Sequence, residues 1–188
     1  MVPYGRTNAI FGSVDEVREV FVVGRKMSEQ SLTRDSLVEF FGAEEYTRLC
    51  RHEAGHALVA LLFKRPLEYV KMTNSKERPG ITRISGSDLE GSAHIAIAGH
   101  ISEFIIRKNF ACDLDTVLKE LPAELYKSDA DYQSFQAACY FYKMSEVNVV
   151  EQCYNVLMAC QKPLMAIVDG LEQRTYLSRA DIENILKV

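Results

Sequence analysis

Residues 51–60 read Arg-His-Glu-Ala-Gly-His-Ala-Leu-Val-Ala and contain the pattern His-Glu-x-x-His. Residues four apart lie on one face of an α-helix, so His52 and His56 predict two imidazoles, one turn apart, that hold a single zinc ion. Glu53 lies at the edge of that face, where its carboxylate can act as general base toward a water activated by the metal. The stretch therefore predicts a catalytic metal helix.

The residues around this pattern argue against a chance match on an ordinary amphipathic helix. Gly55 is costly inside a helix, but within the motif a small residue admits a close neighbour. The rest of the helix is strongly apolar, with Ala54, Ala57, Leu58, Leu61 and Leu62. We therefore expect the two histidines to lie on a helix that packs into the core.

Composition excludes several classes of protein. The 188 residues are 47% hydrophobic and 26% charged, with a net charge of −4 and no basic block, so nothing favours nucleic acid as a partner. Apolar runs such as 57–63 are too short to span a bilayer, and the N-terminus lacks the apolar core of a signal peptide. Five cysteines without a Cys-x-x-Cys pair favour reduced thiols, and hence a cytoplasmic protein without membrane attachment.

The order of predicted elements indicates an α+β fold that is predominantly α-helical. A zincin-like metal helix is expected over Glu44–Phe63, where Arg65-Pro66 ends it, and a buried second helix over Ala93–Asn109. Between them, Leu67–Met72 and Ile81–Ser85 predict a small antiparallel β element. Either strand could pair with an extended substrate, or the hairpin could simply cover the core.

The remaining segments complete one domain with an appended segment. Residues 1–43 are interpreted as an N-terminal extension that packs on the main domain, residues 44–188, with partner docking or self-association as the alternative role. The expected elements of the extension are a helix after a capping box at Ser13 and Glu16, or equally a strand at Val20–Val23, and a helix capped by Thr33 and ended by Gly42. A C-terminal helical bundle is expected over Phe110–Lys127, Ser128–Met144 with Ser128 as its cap, Glu146–Gly170 with an interruption at Pro163, and Ser178–Leu186.

The third metal ligand is left open by spacing alone. A catalytic zinc usually keeps three protein ligands and one open position. His94 and His100 are six apart and do not share a face, which leaves Glu103, Asp129, Asp131 or a cysteine. Glu103 lies on a buried helix and needs a partner, which could be a ligand histidine, the metal or an arginine. Asp129 and Asp131 could equally serve only to favour a helix N-terminus.

Three stretches resemble the peptidase domain of the FtsH family of zinc metalloproteases. His-Glu-Ala-Gly-His-Ala-Leu at 52–58 matches the metal motif of the family. Ala-Gly-His-Ile-Ser-Glu at 98–103 is similar to its Gly-Gly-Arg-Ala-Ala-Glu segment, with His100 in place of the arginine. Asp131-Tyr132, followed by Ala137 and Ala138, resembles the start of the helix that carries the third ligand in the family. The resemblance covers about residues 44–188.

The resemblance implies that His52, His56 and Asp131 bind one zinc ion per chain, with Glu53 as the catalytic base and Glu103 close to the site. The chain departs from the family in having no phosphate-binding loop of an ATPase and no membrane span, and the segment between Glu103 and Asp131 is longer. It is therefore expected to act as a stand-alone enzyme. Family peptidase domains assemble as hexamers beside an ATPase ring, so a homo-oligomer, a separate ATPase and an adaptor are the protein partners to consider.

These observations predict an ATP-independent zinc metalloendopeptidase. Its substrates would be peptides or unfolded and exposed segments of proteins. Two alternatives remain: a catalytically silent FtsH-like binding or regulatory module, and a regulatory protease of narrow specificity that acts on one partner.

Overall fold

Eight helices and three strands make up the part of the chain that the computed structural model describes, residues 32–85, 91–125 and 129–187. The capping box expected at Ser13 and Glu16 lies outside these residues, as does most of the predicted extension 1–43. In chain order the elements are α1 (Arg34–Phe41), α2 (Ala43–Leu62), β1 (Leu67–Met72), β2 (Gly80–Ile84), α3 (Ser92–Arg107), α4 (Leu114–Glu124), α5 (Ala130–Tyr142), α6 (Glu146–Ala159), α7 (Gln161–Arg174), β3 (Tyr176–Ser178) and α8 (Arg179–Ile185). The described fold is α+β and predominantly helical, as expected.

The motif helix α2 follows α1 with only Gly42 between them. Thr33 caps α1 through a hydrogen bond from the Ser36 amide, which confirms the predicted cap. Gly42 has φ of 87°, in the region that favours glycine, and it serves as both the end of α1 and the start of α2. Along α2, all nine residues from His52 to Ala60 are buried, as its apolar sequence predicts.

The small sheet has the strand order β2-β1-β3, and both pairs are antiparallel. Val70 of β1 lies opposite Thr82 on one side and Leu177 on the other. The central position of β1 excludes it as a docking edge, which leaves β2 as the edge strand near the motif. The sequence did not reveal β3, because its three residues run directly into the capped helix α8.

Helices α2 and α3 cross with their backbones in close contact at Gly55. A Cβ atom on Gly55 would lie 2.5 Å from the carbonyl oxygen of Ala98 and 2.6 Å from Cβ of Ser102. The Ser102 hydroxyl donates to the backbone carbonyl of Arg51 at 2.7 Å, which ties the helices together at the same level. The buried helix predicted over residues 93–109 is confirmed as α3, and it lies directly against the motif.

The C-terminal helices differ from prediction at two points. The helical stretch expected over Glu146–Gly170, with an interruption at Pro163, is two helices, α6 and α7, that meet three residues earlier, at Cys160. Pro163 lies in the first turn of α7, where its missing N–H costs little. In a single continuous helix, residue 163 would have to donate its N–H to the carbonyl of Ala159, which proline cannot do. The second difference is at the start of α5, whose N-cap is Asp129. Asp129 thus takes the role that the sequence assigned to Ser128, a residue outside the described ranges.

No helix in the described ranges is long and apolar enough to cross a membrane.

Tyr46 near the start of α2 donates through its hydroxyl to the carbonyl of Leu171 at 3.1 Å, which connects the motif helix with α7. All five cysteines are unpaired, as their number and spacing suggested.

Gly55→Ala tests the close crossing of α2 and α3. Helix propensity alone would make alanine about 1 kcal/mol more stable at this position. The close contact of the new methyl group with the Ala98 carbonyl outweighs this gain. We therefore expect the free energy of unfolding, measured by urea denaturation, to fall by about 1–3 kcal/mol. Gly170→Ala in α7 is the matched control, because its new methyl would meet only the movable side-chain ends of Ile185 and Leu177. A more stable Gly55→Ala protein would contradict the close contact.

Candidate metal centre

The two motif histidines and Asp131 converge on one point. Nε2 of His52 lies 2.8 Å from Nε2 of His56. Oδ2 of Asp131, in the first turn of α5, lies 3.0 Å from the first of these nitrogens and 3.3 Å from the second. The imidazoles are buried whereas the side chain of Asp131 is 44% exposed, so the cluster is reached from the side of α5.

The second nitrogen of each ring fixes where its proton lies. Nδ1 of His56 lies 2.6 Å from the backbone carbonyl of Ile95, which can only accept a hydrogen bond. Nδ1 of His52 lies 2.5 Å from the carboxylate oxygen Oε1 of Glu103. Both Nδ1 atoms therefore donate, and in the neutral rings the lone pairs of both Nε2 atoms point toward Asp131 and toward each other.

This donor set fits a divalent cation. Without a cation, two nitrogen lone pairs and a carboxylate oxygen face one another, and the arrangement is stable only if a proton is taken up. Burial lowers the pKa of His52, but hydrogen bonds with Asp131 and Glu103 outweigh burial and raise that pKa to about 10. Burial raises the pKa of Asp131, while its bonds to His52 and His56 hold it well below its usual range. Ligands about 2.0–2.1 Å from one zinc ion lie roughly 3.3 Å apart, close to the observed separations.

Gly99 of α3 makes room for this convergence. A Cβ atom on Gly99 would lie 2.6 Å from Nε2 of His52 and 2.6 Å from Nε2 of His56. Any side chain at this position would displace the rings or fill the space between them. The sequence predicted a buried helix here, and the structure places Gly99 of that helix against the two imidazole nitrogens.

The structure separates the two aspartates that the sequence left open. Asp131 turns toward the histidines of the motif, whereas Asp129 is the N-cap of α5, and its Oδ1 accepts from the backbone amides of Asp131 and Tyr132. Nε2 of His100 lies 3.0 Å from the same oxygen. His100, which stands where the FtsH pattern has arginine, thus contacts the start of the helix that carries Asp131.

Glu103 lies between His52 and the guanidinium of Arg48 and bonds both. Its Oε1 lies beside Nδ1 of His52, and its Oε2 accepts from Arg48 at 2.7 Å. Burial raises the pKa of Glu103, but the bonds to His52 and Arg48 outweigh it and lower the pKa. Of the partners considered for this carboxylate, the structure provides both a motif histidine and an arginine.

Two groups in the described part of the chain have ligand atoms within 4.8 Å of one another: His52, His56 and Asp131, and His52, His100 and Glu103. In the second group, Glu103 is already bonded to His52 and Arg48, and His100 to Asp129. This favours the first group as the metal site. Neither group contains a cysteine, and neither contains Glu53.

Glu53 is held by the edge strand β2. The hydroxyl of Thr82 donates to Oε2 of Glu53 at 2.6 Å. Gly80 lies against the same carboxylate, since a Cβ atom there would be 2.5 Å from Cγ of Glu53. Glu53 follows His52 directly on α2, and its charge also contributes to the raised pKa of His52.

Sequence reasoning missed the roles of Thr82, Arg48 and His100. For Thr82 a signal was present: in a strand, positions 80 and 82 lie on one face, and both carry small residues where that face meets the motif helix. The contacts of Arg48 and His100 left no such signal, because each depends on how two helices separated by tens of residues are packed.

Zinc affinity distinguishes Asp131 from Asp129. Mutating a residue that is hydrogen-bonded to a metal ligand typically lowers metal affinity ~10–100-fold. Asp131→Asn removes the charge of a proposed ligand itself, so we expect zinc affinity to fall by more than that. Asp129→Asn is the matched control, since asparagine caps a helix as well as aspartate, and its zinc affinity should change little. Competition with a chromophoric chelator measures both. Equal losses in the two variants would contradict the assignment of Asp131.

No family model matches the sequence, and no curated protein matches it. The similarity to FtsH peptidases consequently depends on three stretches alone, residues 52–58, 98–103 and 131–138.

Proposed function

We propose that this protein is an FtsH-like zinc metallopeptidase that cleaves peptides or exposed protein segments without ATP. The observation that carries the proposal is the convergence of two imidazole lone pairs and the Asp131 carboxylate beside a separate buried carboxylate, Glu53. Glu53 belongs to neither metal-capable group and is held in place by Thr82. A set of three ligands with a neighbouring base that is not a ligand is the arrangement expected of a hydrolytic zinc site.

Each residue has a distinct role in this proposal. Bound zinc would supply Lewis acidity, which makes water more acidic and polarises a substrate carbonyl. His52, His56 and Asp131 would hold the ion. Glu103 and the carbonyl of Ile95 keep the protons of the two rings on Nδ1, so that both Nε2 atoms remain available.

Glu53 would take a proton from the attacking water and return it to the leaving amine. A carboxylate suits both transfers, because it accepts a proton as base and releases the same proton as acid. Its burial limits access of bulk water to the base, and its hydrogen bond with Thr82 leaves Oε1 as the oxygen without a hydroxyl donor among the described side chains.

The edge strand β2 provides a surface for an extended substrate. One side of β2 pairs with β1, and no strand among the described residues pairs with its other side. A peptide added there would form backbone hydrogen bonds independent of its sequence. Because Thr82 of the same strand contacts Glu53, such a peptide would lie next to the base. Unfolded or flexible segments are therefore the substrates that suit this site.

Glu53→Gln and His56→Ala separate catalysis from metal binding. Glutamine keeps the shape of Glu53 but cannot accept the proton, so we expect zinc content to remain near one ion per chain and hydrolysis of fluorescein-labelled casein to fall ~10²–10⁴-fold. His56→Ala removes a ligand and should lose both zinc and hydrolysis. Zinc is measured by mass spectrometry of the purified proteins, and folding by circular dichroism.

A Glu53→Gln protein that cleaves casein as fast as the parent would contradict the mechanism. A parent protein that binds one zinc ion but hydrolyses neither casein nor any other unfolded protein would instead support the non-catalytic binding module. Cleavage restricted to one partner, with casein left intact, would support the narrow regulatory protease.

A further inference from the structure

We propose that Thr82 is a positioning residue for Glu53, so that the strand offered to the substrate also sets the orientation of the base. The inference rests on the proposed function, in which Glu53 transfers the proton. It concerns a residue outside the His-Glu-x-x-His motif, on a different element of the fold, whose contact with the carboxylate is made through a single hydroxyl group.

The hydrogen bond between these residues is short and specific. Oγ1 of Thr82 lies 2.6 Å from Oε2 of Glu53 and 3.3 Å from the backbone carbonyl of the same residue. The first distance is typical of a hydroxyl donating to a charged carboxylate, whereas the second is long. Among the described residues, Thr82 is the only side chain that donates to this carboxylate. This hydrogen bond fixes which oxygen of the buried Glu53 side chain faces Thr82, and so contributes to the orientation of the carboxylate.

The neighbouring glycine closes the other side of the carboxylate. Gly80 precedes Thr82 by two positions and therefore lies on the same face of β2. A Cβ atom on Gly80 would overlap the side chain of Glu53, with separations of 2.5 Å to Cγ and 2.6 Å to Cδ. Glu53 thus packs against the bare backbone of β2 while Thr82 holds one oxygen. Strand β2 therefore provides both a packing surface and a hydrogen-bond donor for the Glu53 side chain.

The position of Thr82 in the sheet connects substrate binding to the base. Thr82 lies opposite Val70 of the central strand, so its backbone is fixed by the pairing of β2 with β1. Pairing of a peptide with the free side of β2 would further restrict this backbone and, through the hydroxyl, the carboxylate of Glu53. We therefore expect loss of the hydroxyl to affect turnover more than substrate binding, because the backbone edge of β2 is unchanged.

Three variants test the proposal. Thr82→Val replaces the hydroxyl by a methyl of similar size, and Thr82→Ser keeps the hydroxyl and removes the methyl. Thr116→Val in α4 is the matched control, because it also removes a threonine hydroxyl beside a carboxylate, Asp113, on a helix that contributes nothing to the candidate metal centre. Each is measured alone, and Thr82→Val also in the Glu53→Gln background.

The first measurement needs no turnover. Acetohydroxamic acid would give its N–OH proton to the neighbouring base and bind the metal as the hydroxamate anion. Its affinity for the cobalt-loaded protein, measured from the visible spectrum, therefore depends on the orientation of Glu53. We expect Thr82→Val to weaken this binding roughly tenfold, the typical effect of losing one hydrogen bond to a charged group. Thr82→Ser should restore most of it, and zinc affinity should be the same in all variants.

The second measurement is casein hydrolysis. We expect Thr82→Val to lower kcat roughly tenfold with KM nearly unchanged, and to have no further effect once Glu53 is glutamine, since the two residues act as a unit. Unchanged hydroxamate binding in Thr82→Val, an equal loss in Thr82→Ser, or full additivity with Glu53→Gln would overturn the proposal. If the parent binds acetohydroxamate but hydrolyses nothing, the proposed function fails, and the hydroxamate measurement still decides the role of Thr82.

Discussion

The close contact between α2 and α3 is the constraint on which the rest of the site depends. Gly55 lets the two backbones approach at Ala98 of α3, and the next residue of that helix, Gly99, lies against both Nε2 atoms of the motif. Because the helices are so close, α3 also reaches the far side of each ring, with the carbonyl of Ile95 for His56 and the carboxylate of Glu103 for His52. One helix therefore carries the imidazoles, and its neighbour decides which nitrogen of each is free.

The charges around the centre are the second feature that supports the proposed divalent cation. Three carboxylates, Asp131, Glu103 and Glu53, lie around two imidazoles that donate through Nδ1. Arg48 pairs with Glu103 and also with Glu45, so it offsets only part of the charge of Glu103. Glu53 is buried, whereas the side chain of Asp131 is 44% exposed. A buried carboxylate is costly unless it is paired, and the ion of charge +2 that we propose would offset the charges of Glu53 and Asp131. The donor geometry and the charge balance thus agree.

Local patterns in the sequence predicted the elements well. The cap at Thr33 predicted the start of α1 to the residue. The apolar periodicity around His52 and the stop at Arg65-Pro66 predicted α2 to within one residue at each end, and the strand predicted at Leu67–Met72 has the observed bounds. Signals of this kind are contained within one turn of helix or one stretch of strand, so they do not depend on the rest of the fold.

Features that depend on two distant segments were much harder to predict. Spacing could not choose between Asp129 and Asp131, because both lie at the start of the same helix and only the packing of α5 shows which faces His56. The contact of Thr82 with Glu53 joins a strand to a helix that precedes it by 29 positions. The interruption predicted at Pro163 lies at Cys160 instead, because proline is tolerated within the first turn of a helix, so the chain turns before the proline rather than at it.

The attachment of α5 has a consequence for folding. Only Phe135 and Cys139 of this helix are buried, while Tyr140 and Phe141 are largely exposed, so apolar packing alone holds α5 weakly. Asp131 lies 79 positions from His52, and an ion bound by both would close that long loop as a cross-link does. Metal content and the docking of α5 would then be a single equilibrium, in which a chelator loosens one helix before it unfolds the domain.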